Sequence, residues 1–229
     1  MVYKQKFGIN FDGTEYDFEK KIHEAIESWE KRDLDMPFRY MEIGIEACKT
    51  LSAVYDILVA AKINFEIIGI DIEDWAKHYG QQAFQILPTH DCQIHYAAHK
   101  HMIDTRSRDK RVHLFLKDAD EFLKNDWWGD VHFCFIDALH CECHVTSNFT
   151  NVEYFIYPEG IVAFHDCGPA EQGMDRQHDD HFIEVRQAIQ KLGLWDGSRS
   201  GWKFLKESIG TRNMGLGQGN NIAFFERLV

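Results

Sequence analysis

Three short runs carry side chains whose types and spacing could do chemistry: FIDALH (135–140), the HCECH that overlaps its end (140–144), and AFHDC (163–167). HCECH puts two histidines, two cysteines and a glutamate in five consecutive positions, and every one of these side chains can bind a metal. A structural zinc site, however, usually draws four ligands from two separated pairs. Four ligands on one short segment converge only with difficulty. If the segment is helical, His140 and His144 share a face while Cys141 and Cys143 point elsewhere. The expectation is therefore that the two cysteines pack or face solvent, and that His140 belongs with other residues. Asp137 lies three positions before it, and His165-Asp166 ends another apolar run. Carboxylates and imidazoles brought together in this way have two uses. They can hold one divalent cation, with Asp137 and Asp166 as ligands, that lowers the pKa of a bound hydroxyl. Alternatively, His140 or His165 is a general base that needs no metal. In either case Asp137, His140 and His165 are the candidate catalytic residues.

These residues need elements to position them. Apolar runs at 40–45, 65–72, 111–119, 130–138 and 160–166 predict five strands. Tyr16–Lys31, 48–62, the short DEFLK run, 144–156 and 180–193 predict helices, the last stopped by Gly193. Residues 75–110 are polar and rich in His and Gln, and predict a helix or two with loops. Residues 201–208 and 220–228 predict two further strands around a glycine-rich loop. Strands alternating with helices imply a doubly wound α/β sheet, mostly parallel and covered on both faces. Ligands of such sheets lie beyond the carboxyl ends of the strands. Acids stand there repeatedly: Glu42, Asp71, Asp118, Asp137 and Asp166. Gly44 after the first strand permits a tight turn, and an acid ending the second strand can accept hydrogen bonds from a ribose diol. Residues 44–49 read GIEACK rather than G-x-G-x-x-G, which suits a nucleoside-like ligand without phosphates better than a dinucleotide.

Taken in order, these runs resemble class I S-adenosylmethionine-dependent methyltransferases, in the small-molecule O-methyltransferase-like group. The E-x-G-x-x-x-G-x-S pattern reads Glu42, Gly44, Cys48 and Thr50. The strand-two acid reads Asp71, the G-D-A segment reads Lys117-Asp118-Ala119, F-I-D-G-x-H reads FIDALH, and P-G-G-I…H-D reads Pro158-Glu159-Gly160-Ile161 and His165-Asp166. The resemblance implies a Rossmann-like seven-stranded sheet with an antiparallel C-terminal strand pair. It implies S-adenosylmethionine as cofactor, with magnesium or another divalent cation as a possible second. Glu42 and Gly44 would line the methionine part, Asp71 would bind the ribose, Asp118 and Ala119 would sit against the adenine, and Asp137 would face the sulfonium and the substrate. A non-catalytic binder of the same fold is the alternative, favoured by Cys48, Ala138 and Glu159, which stand where the pattern has glycines. A metal-dependent hydrolase using the Asp/His edge is another.

The whole chain sets outer bounds. Its 229 residues, 45% hydrophobic and 27% charged, suit one globular domain, with a helical extension over 1–37 and a core over 38–229. The net charge of −12 makes nucleic acid a poor partner. The expected partner is a small-molecule acceptor, with a homodimer possible. No run approaches the ~20 apolar residues of a membrane span, and the start lacks the apolar core of a signal peptide. A cytoplasmic location with six reduced cysteines follows as the default expectation. QHDDH (177–181) reads as the start of a helix, with Asp179 or Asp180 as N-cap. The tryptophans 127, 128, 195 and 202 read as core.

Overall fold

In a computed structural model, the residues described are 12–32, 35–45, 49–72, 110–127, 129–168, 176–208 and 221–229. The expectations for residues 75–109, Cys48, Trp128 and the GLGQG loop lie outside them.

The apolar runs form seven strands of one sheet: β1 (Phe38–Ile43), β2 (Phe65–Asp71), β3 (Val112–Leu116), β4 (Val131–Ile136), β5 (Ile156–Phe164), β6 (Trp202–Ser208) and β7 (Ile222–Arg227). Their order is β3-β2-β1-β4-β5-β7-β6. The first five pair in parallel, and β7 runs antiparallel between β5 and β6. The helices are α1 (Asp12–Glu30), α2 (Lys49–Ala61), α3 (Ala119–Asn125), α4 (Glu142–Val152), followed by a 3-10 turn at Glu153–Phe155, and α5 (Arg176–Lys191). No helix among the described residues is long and apolar enough to cross a membrane.

Strand residues alternate between two apolar layers, as the period of two demands. Tyr40, Ile67, Phe133, Phe135, Ala163 and Phe224 face α1 and α2. Met41, Ile43, Ile68, Ile70, Cys134, Ile136, Val162, Phe164 and Phe225 face α3, α4 and α5. Trp202 belongs to this second layer, and Trp127 and Trp195 pack against it, so these three tryptophans are core-associated as read.

The N-terminal helix is part of the packing. Phe18, Ile22, Ala25 and Ile26 bury one stripe of α1 on the sheet. Phe18 meets Phe133 and Phe135 edge-on, with centroids 5.5 and 4.8 Å away. Burial of such a ring contributes about 2–3 kcal/mol. Asp17 accepts from Lys206 Nζ and Ser208 Oγ at the β6 edge, at 2.6 and 2.7 Å. At the other end Ser28 and Arg32 hold Glu159 at the start of β5, at 2.8 and 2.6 Å.

Several element bounds differ from the sequence expectation for physical reasons. β1 starts at Phe38, which pairs with Phe65. β5 starts at Ile156, which pairs with Val131 ahead of a register shift; Glu159 sits there with φ of +64°. β3 ends at Leu116, because Asp118 already caps α3. α5 begins at Arg176, so Asp179 and Asp180 lie inside its first turns and cannot be its N-cap.

Candidate active site

Backbone hydrogen bonds continue past the strand ends and hold the ligand edge level. Lys117 N donates to Asp71 O, Gly44 N to Ile70 O, Asp137 N to Ile43 O, and His165 N to Ile136 O, all within 2.8–3.1 Å. The residues following β3, β1, β4 and β5 are thereby fixed beside one another along the carboxyl edge of the sheet. Gly44 is the tightest point. Its φ is +85°, and a Cβ there would stand 2.6 Å from Ala138 Cα and collide with the carbonyl of Asp137. Only glycine lets the β1 turn approach the β4 exit this closely.

On the β1–β2 side, Asp71 is half-buried and its Oδ2 accepts from Ile45 N at 2.9 Å. The acid thus anchors the turn after Gly44 and stands at the end of β2. Glu42 is buried within β1, its Oε2 accepting from Tyr40 Oη at 2.8 Å. Burial pushes its carboxyl well above the usual carboxylate range, and nearby Asp137 and Asp71 push the same way. Asp118 Oδ1 accepts from Glu121 N and caps α3, which explains an acid at this position by the helix start alone. Ala119 is half-buried against the second apolar layer.

On the β4–β5 side the structure gathers Asp137, His140, His165 and Asp166, each offering a ligand atom within 4.8 Å of the others. His165 Nδ1 donates to Asp137 Oδ1 at 2.7 Å, and His140 Nε2 reaches the same oxygen at 3.3 Å. Both rings also lie 3.6 Å from Asp166 Oδ2. Asp166 adopts a left-handed backbone with φ of +53°, an uncommon state for a side-chain-bearing residue.

Electrostatics within the cluster follow from this geometry. Burial works against charge on His165, but Asp137 and Asp166 outweigh it and raise the ring to about 9. Burial likewise opposes ionisation of Asp137; the two imidazoles reverse this and bring its carboxyl down to about 2. His140 is also raised, with burial overcome by the hydrogen bond to Asp137 and the charge of Asp166. The two carboxylates at this edge carry a charge that one divalent cation would balance. His165 Nε2 is buried and has no hydrogen-bond partner among the described residues. Such an atom carries a desolvation cost of about 1–3 kcal/mol unless something binds it. Two carboxylates and two imidazoles whose ligand atoms converge in this way fit a divalent cation.

The sequence reading placed Glu42, Gly44, Asp71, Asp118, Ala119, Asp137, His140, His165 and Asp166 at the strand ends, and all stand at that edge. It missed Tyr40, the partner of Glu42, although strand alternation puts residues 40 and 42 on one face. It also set His140 and His144 on one helix face with Cys141 and Cys143 pointing away from it. Helix α4 begins at Glu142 with Cys141 as its N-cap, so His140 is not on the helix and the two thiols meet at 3.1 Å. Glu159 lies at the opposite end of β5 from the site, bound to α1.

The strand order and the antiparallel β7 define a Rossmann-like α/β fold of the methyltransferase type. A family model described as "Methyltransferase domain" matches residues 41–167, more than half of the chain, and the chain belongs to that family. It is a class I S-adenosylmethionine-dependent methyltransferase. No curated protein matches the sequence significantly. Solved structures with the same fold include the O-methyltransferase TomG of Streptomyces achromogenes in complex with S-adenosylmethionine, with 13% identity, 92% of this chain and 89% of that one covered, and a TM-score of 0.56. The S-adenosylhomocysteine-bound methyltransferase PaMTH1 of Podospora anserina is similar at 15% identity, 91% and 78% coverage and a TM-score of 0.56. The N-methyltransferase NodS of Bradyrhizobium japonicum aligns at 11% identity, 95% and 98% coverage and a TM-score of 0.54. At these identities the likeness is one of fold.

Proposed function

We propose that the enzyme methylates a hydroxyl group of a small molecule, with the Asp137–His140–His165–Asp166 cluster activating the acceptor. The observation that carries this reading is the convergence of those four side chains at the carboxyl edge, beside the turn that Gly44 and Asp71 form. S-adenosylmethionine, when bound, supplies a methyl group already activated by the positive sulfur. The chain's own tasks are then alignment and removal of the acceptor proton.

The two histidines divide these tasks by exposure. His140 has 27% of its side chain exposed, against 11% for His165. His140 is the general base: its Nε2 faces Asp137 and Asp166, which stabilise the imidazolium once it takes the hydroxyl proton. His165 keeps its proton near neutral pH and positions the Asp137 carboxylate. Asp137 and Asp166 are the residues that would hold a divalent cation, magnesium or another, whose role would be to lower the pKa of the acceptor hydroxyl. Gly44, Asp71, Ala119 and the Glu42 region form the cofactor side, with Asp71 directed to the ribose. The net charge of −12 supports a small-molecule acceptor over a nucleic acid.

The test is methyl transfer to a panel of hydroxyl- and amine-bearing small molecules, with products identified by mass spectrometry. Methyl ether formation is expected, and His140→Gln should lower kcat about 10²–10⁴-fold while S-adenosylmethionine affinity is retained. Exclusive N-methylation, or full activity in His140→Gln, would remove the reading.

A further inference from the structure

We propose that Cys141, Cys143 and His144 form a binding site for one thiophilic metal ion of the zinc class, separate from the Asp137–His140–His165–Asp166 cluster. Two thiols and an imidazole converge here, with their ligand atoms within 4.8 Å of one another. The convergence follows from where α4 begins. Cys141 is the N-cap, in an extended conformation with φ of −91° and ψ of 147°, and its side chain makes no capping hydrogen bond. Ser, Asp, Asn or Thr at such a position normally binds the exposed N–H groups of the first turn. The Cys141 thiol instead lies 3.1 Å from the Cys143 thiol. The extended cap also separates the two histidines of HCECH. His140 turns back to Asp137 and Asp166, while His144 goes with the cysteines.

The donor set selects the metal. Two sulfurs and one imidazole suit zinc, cadmium or cobalt, and do not suit magnesium or calcium, which take oxygen ligands. Bonds of roughly 2.3 Å in a tetrahedron place two thiolates about 3.7 Å apart. The observed pair therefore has to open by about half an ångström, a small rotation for two side chains that are not enclosed. Binding releases both thiol protons to solvent, so two thiolates neutralise one divalent ion. Burial, the hydrogen bond with Cys143 and the charge of Glu184 push the Cys141 thiol up, so it is the arriving cation that drives loss of its proton. Glu184, whose Oε2 accepts from Glu142 N at 3.0 Å, adds negative charge beside the site.

The exposure decides the kind of site. Cys141 is half-buried, and Cys143 and His144 are exposed. With three protein ligands and an open side, the fourth position goes to water, so the ion exchanges rather than serving as a folding staple. Occupancy would clamp residues 141–144 immediately after His140, coupling the ion to the position of that ring. Cys134 and Cys167 are buried elsewhere in the sheet layer and cannot reach this site.

The experiment is a titration of Cd²⁺ into the reduced, metal-free full-length protein, following the ultraviolet sulfur-to-cadmium charge-transfer band. The oxygen and nitrogen ligands of the Asp/His cluster give no such band. Saturation at one equivalent is expected, with the band lost in the double variant Cys141→Ser/Cys143→Ser and Zn²⁺ affinity lowered about tenfold or more in His144→Ala. Cys48→Ser/Cys92→Ser and Asp137→Asn should each keep the band. Because these positions are exposed or half-buried, the thermal midpoint of the double variant should match that of the parent and show it folded. A missing band at one equivalent, a band that survives the double variant, or unchanged Zn²⁺ affinity in His144→Ala would each overturn the proposal.

Discussion

His132 makes stability depend on pH in a way that can be worked from its surroundings. It lies at the opposite end of β4 from the site and is 3% exposed. Its Nδ1 accepts the backbone N–H of Arg39 at 2.9 Å, and its ring stacks on Phe38 and against Tyr157. An acceptor nitrogen must be unprotonated, and burial, then the charges of Arg39 and Arg32, bring the ring from 6.5 down to about 4. The folded value is therefore below the unfolded one. The unfolded chain takes up the proton first, so the stabilising effect is complete above about pH 7 and is lost as pH falls from 6.5 toward 4. At about 1.4 kcal/mol for each pH unit, the full loss is about 3 kcal/mol. The comparison is His132→Asn, whose Oδ1 can still accept from Arg39 N but does not titrate. Urea unfolding of both proteins between pH 7.5 and 4 should show the parent losing about 3 kcal/mol more than the variant, since all other groups contribute equally to both. S-adenosylmethionine affinity at pH 7.5 should be the same in the two. Parallel stability curves would refute the reasoning.

Three further outcomes are expected. Gly44→Ala places a Cβ against the Asp137 carbonyl in a left-handed conformation, and should cost about 2 kcal/mol or more in thermal unfolding together with most cofactor affinity by calorimetry. Asp71→Asn keeps an acceptor for Ile45 N but removes the charge, and should weaken cofactor binding about tenfold with little change in the thermal midpoint. Glu159 combines φ of +64° with bonds to Ser28 and Arg32. Both Glu159→Ala and Glu159→Gly lose those bonds, but only glycine relieves the backbone, so the alanine variant should be less stable by about 1 kcal/mol in denaturant titrations.

Much of the fold was legible because its signals are local. The alternation of apolar residues in YMEIGI, FEIIGIDI and VHFCFI depends only on the period of a strand, and Gly44, Asp71 and Asp137 announce the strand ends by type. The individual acids and histidines of the site were legible for the same reason. Their grouping was not a local property. His165 and Asp166 reach Asp137 and His140 because β5 pairs with β4 in parallel and His165 N continues that ladder to Ile136 O. Amphipathic spacing marked α1 as a helix, yet only the tertiary packing sets it on the sheet, through Phe18 and the anchors at Asp17 and Glu159. Bounds shifted where a cap or a pairing partner, rather than composition, ends an element, as at Asp118, Arg176 and Ile156.

HCECH marks the boundary between the two kinds of information. The sequence by itself determined that five ligand-bearing side chains follow a buried strand at the ligand edge. The tertiary structure decided their partners, because an extended Cys141 starts the helix one residue after His140. With that extended cap, His140 meets the carboxylates and the two thiols are left with His144. Residue types state what each group can bind; backbone direction over two residues states what it meets.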